Sequence, residues 1–366
     1  MKTSPKLFGA LAGAATLALV AGCSSASDST ESSPSSESAS VDFTYALVTP
    51  GAAGDGSFID SAITGATLAE AELGVSGAVV EAESVSQQES VLRSTVATQP
   101  DIIIAPGLDP ESLLAVAAEN PDQLFGVPSD IYVGELPDNV QAYSINMQDA
   151  SYLGGYAAGS LTETGQVGAV LGIDNPGLNQ FYYGYKQGVL DACPECEVTP
   201  TYLNGEFGDP AVGQEAALGL FQGGADIVFA VAGLSGQGVF KAAEDTGNYA
   251  IGVDLNQDGD APGTVIASVM KRVDVTTYAL IESALNDQFT SGFVQAGIDD
   301  GFSGLSWLAG STTFADNGPE ALASQVPALT DEITALQEQI VSGEILVCDA
   351  LNDASSESCV ELGLAG

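Results

Sequence analysis

The sequence predicts an α/β protein of two lobes, each a parallel β-sheet covered by helices, and three observations carry that prediction. Segments that are apolar throughout recur along the chain, and a strand of that kind is buried on both faces. The interval after each leaves room for one helix, so strand and helix alternate as parallel sheets require. The alternation breaks near Ile145 to Ala150 and resumes at Tyr152, which separates a first sheet from a second.

In order, the predicted strands are Tyr45 to Gly51, Asp101 to Gly107, Leu124 to Pro128, Val167 to Gly172, Asp226 to Gly233 and Ala250 to Asp254. Each ends in Gly, Pro or Asp, residues that stop a ladder. Helical patterns fill the gaps at Phe58 to Leu73, Gln87 to Thr98, Pro110 to Ala118, Phe181 to Ala192, Pro210 to Gln222 and Gly238 to Thr246. About 325 of the 366 residues follow Val41, enough for two domains by the usual length prior. The first lobe is assigned 41–147 with a return segment near 275–310, and the second 148–274 with 311–366. Two such lobes enclose a cleft, and ligands of parallel sheets sit beyond the carboxyl ends of the strands. Asp130, Gly233 and Asp254 fall at such ends.

Residues 1–22 read as a secretory signal: Lys2 and Lys6, a short apolar stretch from Leu7, then Val20-Ala21-Gly22 ahead of Cys23. The Cys resembles that of a bacterial lipobox, which implies cleavage before Cys23 and acylation of its thiol. An ordinary signal peptide with an incidental Cys is the alternative. Residues 23–40, nearly all Ser, Ala, Glu, Asp, Thr and Pro, read as a disordered tether.

Seven Lys plus Arg against 49 Asp plus Glu leave a formal charge of −42. That excludes nucleic acid as a partner and disfavours phosphate-bearing ligands, whose binding draws on cations. The chain has no His, so neither a Ser-His-Asp nor a Cys-His arrangement is available. No Gly-rich phosphate loop is present, and any ATP hydrolysis belongs to a partner. Cys193, Cys196, Cys348 and Cys359 read as disulfide partners outside the cytoplasm, with the two local pairings favoured among three. A zinc site at Cys193 and Cys196 lacks the other two ligands, and a redox pair lacks the preceding strand.

The stretch around Ile251 to Asp274 draws the argument together. Ile251-Gly252-Val253 is an apolar strand that stops at the carboxylate of Asp254; Ser268-Val269-Met270 is another that stops at the ammonium of Lys271. Opposite charges are thus delivered to strand ends. Asp254, Asn256 and Asp258 also match the opening of a calcium loop, but Val265 stands where the bidentate Glu should be.

Several segments then carry a resemblance: Gly54-Asp55-Gly56-Ser57-Phe58, Gly154-Gly155-Tyr156-Ala157-Ala158-Gly159, Phe181 to Tyr185, Phe207-Gly208-Asp209-Pro210, Ile251 to Asp254 and Ser268 to Asp274. In that order, over roughly 41–343, they are similar to the basic membrane protein family of bacterial lipoproteins, which includes PnrA-like purine-nucleoside receptors of ABC importers. The resemblance implies a type I periplasmic-binding-protein fold, two Rossmann-like lobes joined by a hinge. It implies Phe58, with Asp55 beside it, and Phe207 as rings that stack on a base. It implies Asp130 as a carboxylate facing the base, Gly233 as a backbone contact, and Asp254 with Lys271 as the pair holding a sugar. Pro50 and Ile59 stand where the family carries polar residues. Phe181, in an aromatic run that opens a helix, reads as lobe packing in preference to ligand contact.

The sequence therefore predicts a monomeric, lipid-anchored receptor on the outer membrane face. It would need no cofactor and would pass a nucleoside to a permease and its ATPase without chemistry. The alternatives are a sensory or surface-interaction lipoprotein on the same scaffold, with a ligand such as a sugar, and a hydrolase using acidic residues.

Overall fold

The computed structural model describes residues 41–82, 84–129 and 135–364. The first sheet contains β1 (Thr44–Thr49), β2 (Ser76–Glu81), β3 (Ile102–Ile104), β4 (Leu124–Val127) and β5 (Val140–Ile145), with α1 (Phe58–Leu73), α2 (Val85–Val96) and α3 (Pro110–Glu119) between them. After α4 (Gln148–Leu161) the second sheet takes β6 (Gln166–Leu171), β7 (Glu197–Tyr202), β8 (Ile227–Val231), β9 (Tyr249–Asp254) and β10 (Val265–Lys271). Its helices are α5 (Pro176–Ala192), α6 (Pro210–Gln222) and α7 (Ser235–Thr246). Helix α8 (Val273–Leu285) and β11 (Gly292–Ala296) then return the chain to the first sheet, and β12 (Ser303–Leu305) brings it back to the second. The segment 275–310, placed by sequence with the first lobe, therefore gives one strand to each sheet. Helices α9 (Thr313–Asn317), α10 (Glu320–Ala323), α11 (Val326–Val341) and α12 (Glu357–Glu361) close the described chain.

Both sheets have the same plan. The first runs β11-β5-β4-β3-β1-β2 and the second β12-β10-β9-β8-β6-β7. Every pairing is parallel except β10 with β12. Central strands are buried on both faces: Ile102, Ile103 and Ile104 of β3 are each 0% exposed. Each such side chain contributes about 1.5–3 kcal/mol relative to exposure. Strands β2 and β7 lie at the edges, keep exposed faces, and so lack the continuous apolar run by which a strand is recognised.

Three helices begin on an Asx-Pro pair beyond a strand's carboxyl end. Asp109 accepts from Ser112 N–H at 2.9 Å ahead of α3, Asn175 from Leu178 N–H at 2.8 Å ahead of α5, and Asp209 from Ala211 N–H at 2.9 Å ahead of α6. The side chain satisfies an orphan helix donor, and proline at the first helical position gives up an N–H that had no partner. These caps set where the helices leave the cleft.

The glycines of the Gly154-to-Gly159 segment serve the pairing of α4 with α5. A Cβ on Gly155 would stand 2.0 Å from the carbonyl oxygen of Tyr185, and one on Gly188 2.0 Å from that of Tyr152. The two backbones touch there, which only glycine allows. Helix α5 also holds the segment from Cys348 to Leu362: Cys348 N–H donates to Gln187 Oε1 at 2.9 Å, and Lys186 Nζ to Leu362 O at 2.7 Å. Cys193–Cys196 and Cys348–Cys359 are both disulfide-bonded.

Candidate ligand-binding cleft

In each sheet the chain leaves the first strand in one direction and reaches the third in the other, which opens a crevice between β1 and β3 and another between β6 and β8. The two crevices share one cavity of about 1000 Å³. Its wall takes residues that follow β1 (Pro50, Asp55, Phe58), β3 (Gly107), β6 (Ile173, Asn175), β7 (Phe207) and β8 (Gly233), together with the ends of β9 (Asp254) and β10 (Lys271). The volume is at the upper end of the range for small-molecule sites.

Asp254 ends β9 with φ of 64°, in the left-handed region that Asp tolerates better than most residues. In parallel register its Cα is level with Met270, so Lys271 stands one residue beyond it on the neighbouring strand. The carboxylate is buried and accepts a hydrogen bond from the hydroxyl of Ser57, at the mouth of α1 in the other lobe. Burial pushes its pKa up to about 6, against the pull of the Lys271 charge and the Ser57 hydroxyl. Close by, Gln257 Nε2 donates to Gly56 O at 2.8 Å, a second bond between the β9–β10 loop and the entrance to α1.

Lys271 Nζ lies 5.2 Å from the ring centre of Phe58 and 5.8 Å from that of Phe181. A cation at that range is attracted by each ring, and the aromatic faces hold the ammonium in place. It is the one cationic side chain among the described wall residues. Among the other described cations, Arg93, Lys241 and Arg272 pair with surface or half-buried carboxylates, and Lys186 binds Leu362 O. Phe181 packs on Phe229, centroids 6.4 Å apart, and also reaches the cavity wall, so the packing role read from sequence is half of its position.

Phe207 lies against the backbone of Gly172, where a Cβ would stand 2.0 Å from its Cε1. It is 40% exposed, a large apolar ring left open to the cleft. Gly233, with φ of 54°, runs beneath it, a Cβ there being 3.2 Å from Phe207 O. Asp55 joins the wall, but its oxygens accept from the N–H groups of Ser57, Ile59 and Asp60 at 2.9, 2.9 and 3.0 Å. Burial raises its pKa and those three bonds oppose the rise. Its place in the cleft is to hold the first turn of α1, on which Phe58 rides.

Six of the seven sequence-assigned ligand residues, Asp55, Phe58, Phe207, Gly233, Asp254 and Lys271, thus share one cavity. Asp130 and Cys23 lie outside the described residues. The calcium-loop residues diverge: Asp254 turns to Ser57, Asp258 accepts from Ser268 at 2.6 Å and from Ser311, and Asn256 Oδ1 accepts from Asp258 N–H at 3.2 Å. Among the described residues no group of three or more His, Cys, Asp or Glu converges in metal-holding geometry. Sequence reasoning missed Gln88, Asn175 and Gln180, all on the wall. Gln88 had a signal, since with Leu92 and Thr95 it forms the buried stripe of α2.

Comparisons with known proteins bear on the family and the fold. The family described as ABC transporter substrate-binding protein PnrA-like matches residues 43–350. Basic membrane protein A of Borreliella burgdorferi is 30% identical over 307 residues, covering 82% of this chain and 86% of that protein. An uncharacterized lipoprotein of Pyrococcus horikoshii is 30% identical over 349 residues, 91% of this chain and 85% of that one. Against basic membrane protein D of Borreliella burgdorferi, 35% identical, the matched stretch spans about half of the relative, 52% of its length. The crystal structure of an ABC transporter system solute-binding protein from Aeropyrum pernix K1 superposes with a TM-score of 0.75 at 27% identity, covering 87% of this chain and 99% of that one. The fold is that of type I periplasmic binding proteins. No helix among the described residues is long and apolar enough to cross a membrane. With its twin sheets, interlobe cleft and matched length, the chain belongs to the PnrA-like family of ABC transporter substrate-binding proteins.

Proposed function

We propose that this protein captures a nucleoside in the interlobe cleft and delivers it to the permease of an ABC importer, working as a monomer tethered by a lipid on Cys23. The observation that carries the reading is the company of Asp254 and Lys271 with two aromatic rings, Phe58 and Phe207, on one cavity wall. Stacking on such rings contributes about 1–3 kcal/mol per ring and tolerates any base. A carboxylate and an ammonium at adjacent strand ends suit vicinal hydroxyls, since charge-assisted bonds contribute about 1.5–3 kcal/mol each. After association costs, those contacts are consistent with micromolar affinity, near −8 kcal/mol. Among the described wall residues there is no second cation beside Lys271, and the formal charge is −42, so an uncharged nucleoside suits the cleft better than a nucleotide. Closure would be a hinge motion about the interlobe crossings, with the ligand favouring the shut form by contacts to both lobes.

A thermal-shift screen of the purified protein against nucleosides, free bases, sugars and calcium tests the reading. Stabilisation by nucleosides, with the ligand recovered intact, is expected. Stabilisation by sugars alone, or turnover of the nucleoside, would overturn it.

A further inference from the structure

Three carboxamides stand on the cleft wall, and each already has its oxygen occupied. Gln88, 3% exposed, accepts from Asp109 N–H through Oε1 at 2.7 Å. Asn175 accepts from Leu178 N–H through Oδ1, and Gln180 from Met147 N–H through Oε1 at 3.2 Å. A backbone N–H can face only the oxygen of an amide, so each contact decides which end of the side chain remains for a ligand. Gln180 spends a proton on Gly177 O at 3.3 Å. Among the described residues, neither Nε2 of Gln88 nor Nδ2 of Asn175 has an acceptor, and of the two Gln88 is the buried one.

Gln88 is also well placed. The Phe58 ring lies against Gly107, where a Cβ would stand 2.9 Å from its Cε1, and Asp109, which holds the Gln88 amide, is two residues on. The Gln88 amide is thus anchored to the same segment after β3 against which the Phe58 ring rests, and both side chains line the cavity. The two buried carboxylates of the wall are committed, Asp55 to backbone N–H groups and Asp254 to Ser57. Pro50 and Ile59 are apolar, so they offer an exocyclic amino group nothing to bind.

We propose that Gln88 determines specificity in this cleft by donating from Nε2 to a carbonyl on the ligand's ring. The cleft would then select nucleosides whose base carries an exocyclic carbonyl over those with an amino group at that position. The inference rests on the cleft being a nucleoside site. An amino group opposite Nε2 sets donor against donor and leaves both unpaired in a buried place, which is how a polar site rejects a ligand of equal size.

Titration calorimetry of the full-length protein with inosine against adenosine, and uridine against cytidine, compares ligands of nearly equal volume. The wild type is expected to bind the oxo member of at least one pair tenfold or more tightly. In Gln88→Glu one carboxylate oxygen keeps the Asp109 bond and the other becomes an acceptor, so the preference should reverse. Gln88→Met, similar in size and without a donor, should abolish it and tests the same idea if the glutamate variant folds poorly. Equal affinities in the wild type, or a preference unchanged in both variants, overturn the role of Gln88 and leave nucleoside capture standing. Absence of heat with every nucleoside overturns both.

Discussion

Ser57 and Asp254, 197 residues apart, are joined by a hydrogen bond across the cleft, hydroxyl to carboxylate. The bond ties the entrance of α1 in one lobe to the carboxyl end of β9 in the other, and it is buried. A sugar hydroxyl arriving at Asp254 must either share that carboxylate with Ser57 or replace it. Whatever changes the charge of Asp254 therefore acts on lobe contact and ligand contact together.

Acidification should act on stability and affinity with opposite signs. Asp254 has a folded-state pKa of about 6 against an ordinary 3.8, so between those values the folded state holds the proton more firmly than the unfolded one. Stability from this group is fully present below about pH 4 and is lost as pH rises through about 6, at most about 3 kcal/mol. Affinity for a sugar runs the other way, because the ionised carboxylate is the stronger acceptor. Melting curves and calorimetry at pH 5 and pH 8 check both. In Asp254→Asn the affinity should cease to vary with pH, and part of the stability slope should vanish. The remainder belongs to groups such as Asp149, raised to about 6 by burial and the charges of Asp349 and Asp299. An unchanged pH profile in Asp254→Asn would remove this carboxylate from the site.

Replacing Lys271 with alanine should weaken nucleoside binding at least tenfold at pH 7. It should also move the pH at which affinity falls upward. The ammonium pulls the Asp254 pKa down against burial, and without it the carboxylate neutralises at higher pH. Ser57→Ala should shift the midpoint in the same direction, for loss of the hydroxyl donor. Affinity against pH in both variants is the measurement, and a fixed midpoint would mean that neither group senses Asp254.

What could be read in the sequence follows burial. Ile102 to Ile104 and Ile227 to Val231 are enclosed on both faces, and a strand so enclosed has to be apolar at every position. The edges β2 and β7 have an open face, so their composition carries no such demand. Phe58, Asp254 and Lys271 were legible as residues that open a helix or stop a strand, where parallel sheets gather a site, whereas Phe207, in the loop between β7 and α6, was legible only through the family resemblance. Gln88 shares the helical spacing of Leu92 and Thr95, but a polar side chain on a helix looks like a solvated one until the fold turns it inward. Asp55 matched a motif, yet its oxygens turn to the backbone of α1, a distinction that needs coordinates.

The two rings should differ in what their loss does. Phe207 is 40% exposed, so Phe207→Ala should lower nucleoside affinity by about 1–3 kcal/mol for every base while the apo melting temperature hardly moves. Phe58 lies against Gly107 and Lys271, so Phe58→Ala should cost affinity and stability together. A loss confined to one base in either variant would show that the ring reads identity.

Gly188→Ala provides a control for stability without function. The added methyl would meet the carbonyl oxygen of Tyr152 at 2.0 Å, so α4 and α5 must separate. Overpacking of this kind costs about 1–3 kcal/mol, and in a protein of this size each kcal/mol lowers Tm by about 1–2 °C. The contact lies where α4 crosses α5, about two turns along α5 from Phe181, and Gly188 itself is not a wall residue of the cavity. Nucleoside affinity at 25 °C should therefore change less than threefold while Tm falls by several degrees. Affinity lost in proportion to Tm would instead mean that the α4–α5 contact sets the position of Phe181 in the cleft.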